Sequence, residues 1–167
     1  TKYVSIRCAY LLKKDVKVEK KLPDVRPPPL NVDVPAHTAK KGAAGAKVKV
    51  VEFADFQCPY CSLAAETVRG LQKKYGDRVE FAYRHFPLRS IHPDAQRAGE
   101  VAQCSGAQGK FWEMHDRLYA DQSKLDEASM RAAAKELGLD EAKLDECLTS
   151  GRGAAEVNLD VEKGNEI

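Results

Sequence analysis

Two cysteines, Cys58 and Cys61, stand three positions apart in DFQCPYCSL, with Pro59 and Tyr60 between them. Thiols this close exchange with disulfides, hold a metal, or lock into a permanent bridge. A metal needs further ligands at workable spacing. No second CxxC occurs, and His37, His85, His92 and His115 lie apart, with no paired HxxxH or CxxxH. A permanent bridge over two intervening residues closes almost no loop and stabilises little. Exchange is the chemistry that suits the spacing, with no metal or other cofactor expected. It needs one nucleophilic sulfur and a second that resolves the mixed disulfide.

The flanking residues supply a frame for that pair. KVKVVEFADF, residues 47–56, is a β-branched and aromatic run of the kind a buried strand requires. PYCSLAAETVRGLQKKYG then predicts a helix, with Leu63, Thr67, Leu71 and Tyr75 four apart on one face. Pro59 falls in its first turn, where a missing N–H costs nothing, and Gly76 closes it. RVEFAYRHF predicts a second strand, with Val79, Phe81 and Tyr83 on one face. Strand, helix and strand of these lengths make a right-handed βαβ unit. Cys58 then sits where the first strand meets its helix, and the positive end of the helix dipole favours anionic sulfur there. Cys61 follows one turn later on the same face.

From Pro93 to about Gly164 the spacing is helical throughout. PDAQRAGEVAQCSGAQG, KFWEMHDRLYADQ, DEASMRAAAKELG and DEAKLDECLTSG predict four helices, and AAEVNLDVEKGN starts a fifth that stops soon after. Phe111, Trp112, Met114 and Leu118 read as helix core. Residues 1–45 read as an extension outside the core. DVKVEKKLP resembles a short exposed strand, Pro27 to Pro29 polyproline II, and the Gly-Ala stretch a flexible link.

Composition narrows the function classes. A net charge of +2, with Lys and Arg interleaved among Asp and Glu, leaves no nucleic-acid footprint. No apolar run approaches the roughly 20 residues of a membrane span. YVSIRCAYLL carries an arginine within its apolar stretch, a poor signal-peptide core, so any export signal is expected outside these residues. Five cysteines, Cys8, Cys58, Cys61, Cys104 and Cys147, are many for a reduced cytosolic chain of 167 residues and point to an oxidising compartment.

VVEFADFQCPYC, YRHFPL, HPDAQRA and GKFWEMHDRLY, in that order, resemble the DsbA-like branch of thioredoxin-fold proteins, the extracytoplasmic thiol:disulfide oxidoreductases. The resemblance covers residues 46–167. It implies an α/β, thioredoxin-like fold with an inserted helical domain. Residues 1–45 would be extension and linker, 46–90 the βαβ half, 91–152 the insertion, and 153–167 a helix leading back. It also implies an exposed nucleophile at Cys58, a buried resolving thiol at Cys61, and a periplasmic or otherwise extracytoplasmic location. Partners would be cysteine-containing exported proteins, oxidised by the pair, and a redox partner that recycles it. An isomerase or reductase with the same thiols, or a non-catalytic binding or chaperone-like module, remains as an alternative.

Further site residues follow from that frame. Glu52 matches a buried acid in the family that takes up or relays the resolving thiol's proton, and a carboxyl so placed should titrate high. The alternative reading is a solvated strand residue. Asp55 is expected at the strand end near solvent, as a weak electrostatic modifier, and Pro59 and Tyr60 as tuning and substrate-contact residues. His92 reads as ordering entry to the insertion and His85 as a strand-end residue. Cys104 and Cys147, each on an apolar helical face, are expected to pair in an oxidising compartment; otherwise they are two small buried residues. Cys8 has no obvious partner. One departure matters. The family's cis-proline loop, two further strands and last helix have no counterpart before Ile167, so we expect a fragment whose central strand has one bare edge.

Overall fold

The computed structural model describes residues 2–7 and 32–167. Cys8, the DVKVEKKLP stretch and Pro27 to Pro29 lie outside the described residues. A four-stranded sheet is built from β1 (Lys2–Arg7), β2 (Ala39–Lys41), β3 (Val48–Ala54) and β4 (Val79–His85), in the order β1-β3-β4-β2. β3 and β4 run parallel, Val48 opposite Val79 and Glu52 opposite Tyr83, joined by α1 (Pro59–Tyr75). Five helices follow: α2 (Ala95–Gly106), α3 (Phe111–Ala120), α4 (Glu127–Glu136), α5 (Glu141–Thr149) and α6 (Arg152–Glu166).

Three pieces of the stretch expected to lie outside the core join the sheet or pack on it. β1 pairs in parallel along β3, Lys2 opposite Val48 and Arg7 opposite Phe53, so the edge expected to be bare is occupied. β2 pairs antiparallel with β4. Val32 is fully buried with Val51, Phe53 and Ala82 on one face of the sheet. Gly42 makes the β2 turn possible, because its φ of 97° favours glycine and a Cβ there would meet the Val79 carbonyl at 2.2 Å.

The helix α1 turns a different face inward from the one its large apolar residues suggest. Cys61, Ala65 and Val68 are buried, whereas Leu63 is 56% exposed. Small residues at 61 and 65 let the helix lie close on the sheet, and that outweighs side-chain size. Phe111, Met114 and Leu118 of α3 are buried as expected, while Trp112 is half-buried and donates its indole N–H to the Lys40 carbonyl. Helices α4 and α5 start on Asp126 and Asp140, whose side chains accept from the amides of Ser129 and Lys143.

The helix α6 runs longer than its sequence signals suggest, and its position is fixed by a buried charge. Asp160 is fully buried and accepts from Arg84 Nε at 2.7 Å and from the His85 amide at 2.9 Å; His37 Nε2 lies 3.0 Å from it. Arg84, also buried, donates to the Asp33 carbonyl and stacks over Phe53. One carboxylate therefore joins α6, β4 and the segment before β2. Such a pair is retained because losing one partner leaves the other charge buried and alone.

Candidate functional site

The strand β3 carries Val50, Glu52 and Ala54 toward α1, and the turn Asp55-Phe56-Gln57 then delivers Cys58 to the N-cap of α1. No side chain caps the helix there, and Pro59 occupies its first turn. The Cys58 carbonyl accepts from the amides of Cys61 (3.1 Å) and Ser62 (3.2 Å), which holds the two cysteines in a single helical turn. Both stand as thiols. Cys58 is 5% exposed and Cys61 2%, so the contrast between open nucleophile and sheltered partner is smaller than the family resemblance implies. Side chains of α3 and the loop after it hold this turn against the insertion, donating to its carbonyls. Tyr60, by contrast, is 54% exposed, and Pro59 is exposed beside it.

The carboxyl of Asp55 departs from the sequence reading. It is buried, and it accepts from the amides of Gln57 and Leu88, both at 2.7 Å. His92 Nδ1 lies 2.8 Å from its second oxygen. Gln57 and Asp94 are reciprocally bonded, Gln57 Nε2 donating to Asp94 Oδ2 and Asp94 N to Gln57 Oε1. Asp55 is thus a structural anchor that ties the cysteine turn to the entry of the insertion, and His92 orders that entry through it. His85 ends β4 but is buried, bonded to Gln103, and burial pushes it below the ordinary histidine range.

Under the thiols lies an aromatic floor that sequence reasoning missed. Phe56 stacks on Tyr83 at 5.2 Å and meets Tyr119 at 4.9 Å. The Tyr119 hydroxyl donates to the Asp55 carbonyl at 3.2 Å. Its single proton being spent there, the Tyr83 hydroxyl, 3.1 Å away, is the donor between the two phenols. Burial raises both phenols well above their ordinary range, with the charges of Glu52 and Cys61 adding to it. Nothing in the spacing of Tyr83 and Tyr119, 36 residues apart, signals the pair.

Glu52 is buried, and one carboxylate oxygen has no hydrogen-bond partner. Desolvation pushes its pKa to about 7. A carboxyl that is neutral and charged in equal measure near pH 7 can give or take a proton without a large free-energy step.

A thioredoxin family model matches residues 36–167. The chain belongs to the thioredoxin family. This thioredoxin-family chain is 26% identical to a solved thioredoxin-like oxidoreductase from Silicibacter pomeroyi DSS-3, with a TM-score of 0.71, covering 79% of this chain and 75% of that one. It shares its fold with the thiol-disulfide exchange protein alpha-DsbA2 of Wolbachia pipientis at 15% identity and a TM-score of 0.66, over 77% and 67% of the two chains. The DsbA-like resemblance and the thioredoxin-like fold with inserted helices therefore hold. Among curated sequences, it is 44% identical over 122 residues to the Na(+)/H(+) antiporter NhaA 3 of Salinispora tropica, which is 73% of this chain. The chain spans about a fifth of the length of the curated relatives it matches.

Within this thioredoxin-family site, Glu52 makes stability depend on pH. In the unfolded chain it ionises near 4.5; in the fold it stays protonated to about 7. Below 4.5 both states hold the proton and the fold keeps its full stability. Between 4.5 and 7 only the unfolded chain releases it, so stability falls as pH rises, and above 7 the loss is complete. A shift of this size corresponds to about 3 kcal/mol. Glu52→Gln should abolish this fall in urea unfolding between pH 5 and pH 8. A variant that falls as steeply as the wild type would assign the dependence to another group.

Proposed function

We propose that this chain is a thiol:disulfide oxidoreductase that introduces disulfides into exported proteins outside the cytoplasm, with Cys58 as nucleophile and Cys61 as resolving thiol. The observation that carries the reading is the pair itself, two thiols in the first turn of α1, with a buried Glu52 on the strand that leads to it and a pKa raised to about 7. A substrate thiolate attacks Cys58 Sγ of the disulfide form, the Cys58–Cys61 bond breaks, and Cys61 leaves with the electron pair and takes a proton. Glu52, buried on the preceding strand with a pKa raised to about 7, is the acid suited to supply it. A second substrate thiolate attacks the substrate sulfur of the mixed disulfide and releases Cys58. Two electrons pass to the protein, which a redox partner must later remove. Tyr60 and Pro59, exposed beside Cys58, are suited to touch the substrate chain.

The match to curated antiporters supports a second element of the proposal, a redox module that a membrane transporter can carry. No helix among the described residues is long and apolar enough to cross a membrane. The ion exchange named for those relatives is not proposed for this span. Location outside the cytoplasm is supported by the cysteine content and by the DsbA-like fold.

The test is to mix the oxidised protein with a reduced, unfolded protein bearing several cysteines and count thiols with time. An oxidase consumes substrate thiols stoichiometrically and has a reduction potential above roughly −180 mV. A potential near the thioredoxin value of about −270 mV would make it a reductase. Faster repair of scrambled disulfides would make it an isomerase, and binding of the unfolded chain without thiol loss would make it a binding module.

A further inference from the structure

Gln122 lies in the turn after α3, and its side-chain amide Nε2 donates to the main-chain carbonyls of Phe56 at 2.7 Å and Cys58 at 3.0 Å. Tyr119, three residues earlier, donates its hydroxyl to the carbonyl of Asp55. Three carbonyls of the turn that carries Cys58 thus end on side chains of the insertion. The Cys58 carbonyl has three donors in all, since it also takes the Cys61 and Ser62 amides. A backbone carbonyl presents negative partial charge, and several beside one sulfur oppose negative charge on that sulfur. A donor on each offsets that field and stops the turn from rotating a carbonyl toward the sulfur.

We propose that Gln122, backed by Tyr119, is a positioning residue of the thiol pair. It fixes the turn that aims Cys58 and offsets the carbonyl dipoles around it, so that the insertion sets how strongly the pair oxidises. The inference rests on the thiol-exchange reading above and deepens it. Removing the donors should leave the dithiol form less favoured against the disulfide, and so weaken the protein as an oxidant.

The experiment is equilibration with mixtures of reduced and oxidised glutathione. The protein disulfide takes two electrons and two protons from two glutathione thiols, giving the dithiol and one glutathione disulfide. Gln122→Met keeps the length and removes both donors. Its equilibrium should move about tenfold toward the disulfide, a potential about 30 mV more negative. Tyr119→Phe, which loses one hydroxyl, should move it in the same direction and decides the matter if Gln122→Met does not fold. Asp126→Ala serves as the structural control: it loses the cap of α4, so its Tm should drop while its potential stays at the wild-type value. Variants at 122 and 119 that keep the wild-type potential would overturn the assignment and reduce Gln122 to a packing role. A wild type that equilibrates with glutathione but oxidises no protein removes the function proposed above, and the shift in the variants still supports this one. A pair that forms no disulfide with glutathione overturns both.

Discussion

Cys58→Ser is expected to lower exchange with dithiol substrates by at least about a thousandfold, because it removes the sulfur that the substrate attacks. Cys61→Ser should behave differently. The first bond still forms, the second sulfur is missing, and the protein accumulates as mixed disulfides visible on non-reducing gels. The assignment rests on place in the fold: Cys58 is the N-cap of α1 and Cys61 lies one turn inside it. Exposure alone discriminates weakly, at 5% against 2%. The variants therefore carry the test. Trapped adducts on Cys58→Ser, with none on Cys61→Ser, would exchange the two roles. Equal loss in both without adducts would mean that neither sulfur meets the substrate.

The part of this site that the sequence discloses is the part written in consecutive residues. Cys58, Pro59 and Cys61 follow a β-branched strand and open a helix, so a few adjacent signals locate the thiols and the junction that holds them. The helices of the insertion are legible for a similar reason, since each ends near a glycine or polar turn. The charged anchors are hidden because each looks like an ordinary surface residue until its partner is known. Asp55 gains its meaning from Leu88 and His92, and Asp160 from Arg84, 76 residues away. One signal for Asp160 was present: Gly153, Val157, Asp160 and Gly164 share a helical stripe of otherwise uncharged residues. A carboxylate on such a stripe is buried with a partner or not buried at all. The strand β1 could not be read, because nothing local tells a short β-prone stretch which edge of a distant sheet it joins. The inward face of α1 differs from the one its large apolar residues suggest because closeness of approach outweighs side-chain size there.

The disulfide between Cys104 and Cys147 is expected to matter for stability as much as the thiol pair does for chemistry. The two are bonded, with Cα atoms 5.7 Å apart, and tie α2 to α5 across 43 residues. A cross-link of that span removes freedom from the unfolded chain worth about 4 kcal/mol in the loop-entropy account. The fold leaves little room for slack at this point, since a Cβ on Gly153 of α6 would meet Cys104 Sγ at 2.8 Å. Replacing both cysteines by alanine should therefore lower the free energy of unfolding in urea by about 3–4 kcal/mol. Dithiothreitol separates the cross-link from the packing. It should lower the wild type to near the level of the double variant and leave the variant where it was, because Cys58 and Cys61 add no long loop in either protein. If the reductant changes neither protein while the variant is still weaker, the two sulfurs act as buried apolar atoms, and the bridge between α2 and α5 contributes nothing of its own.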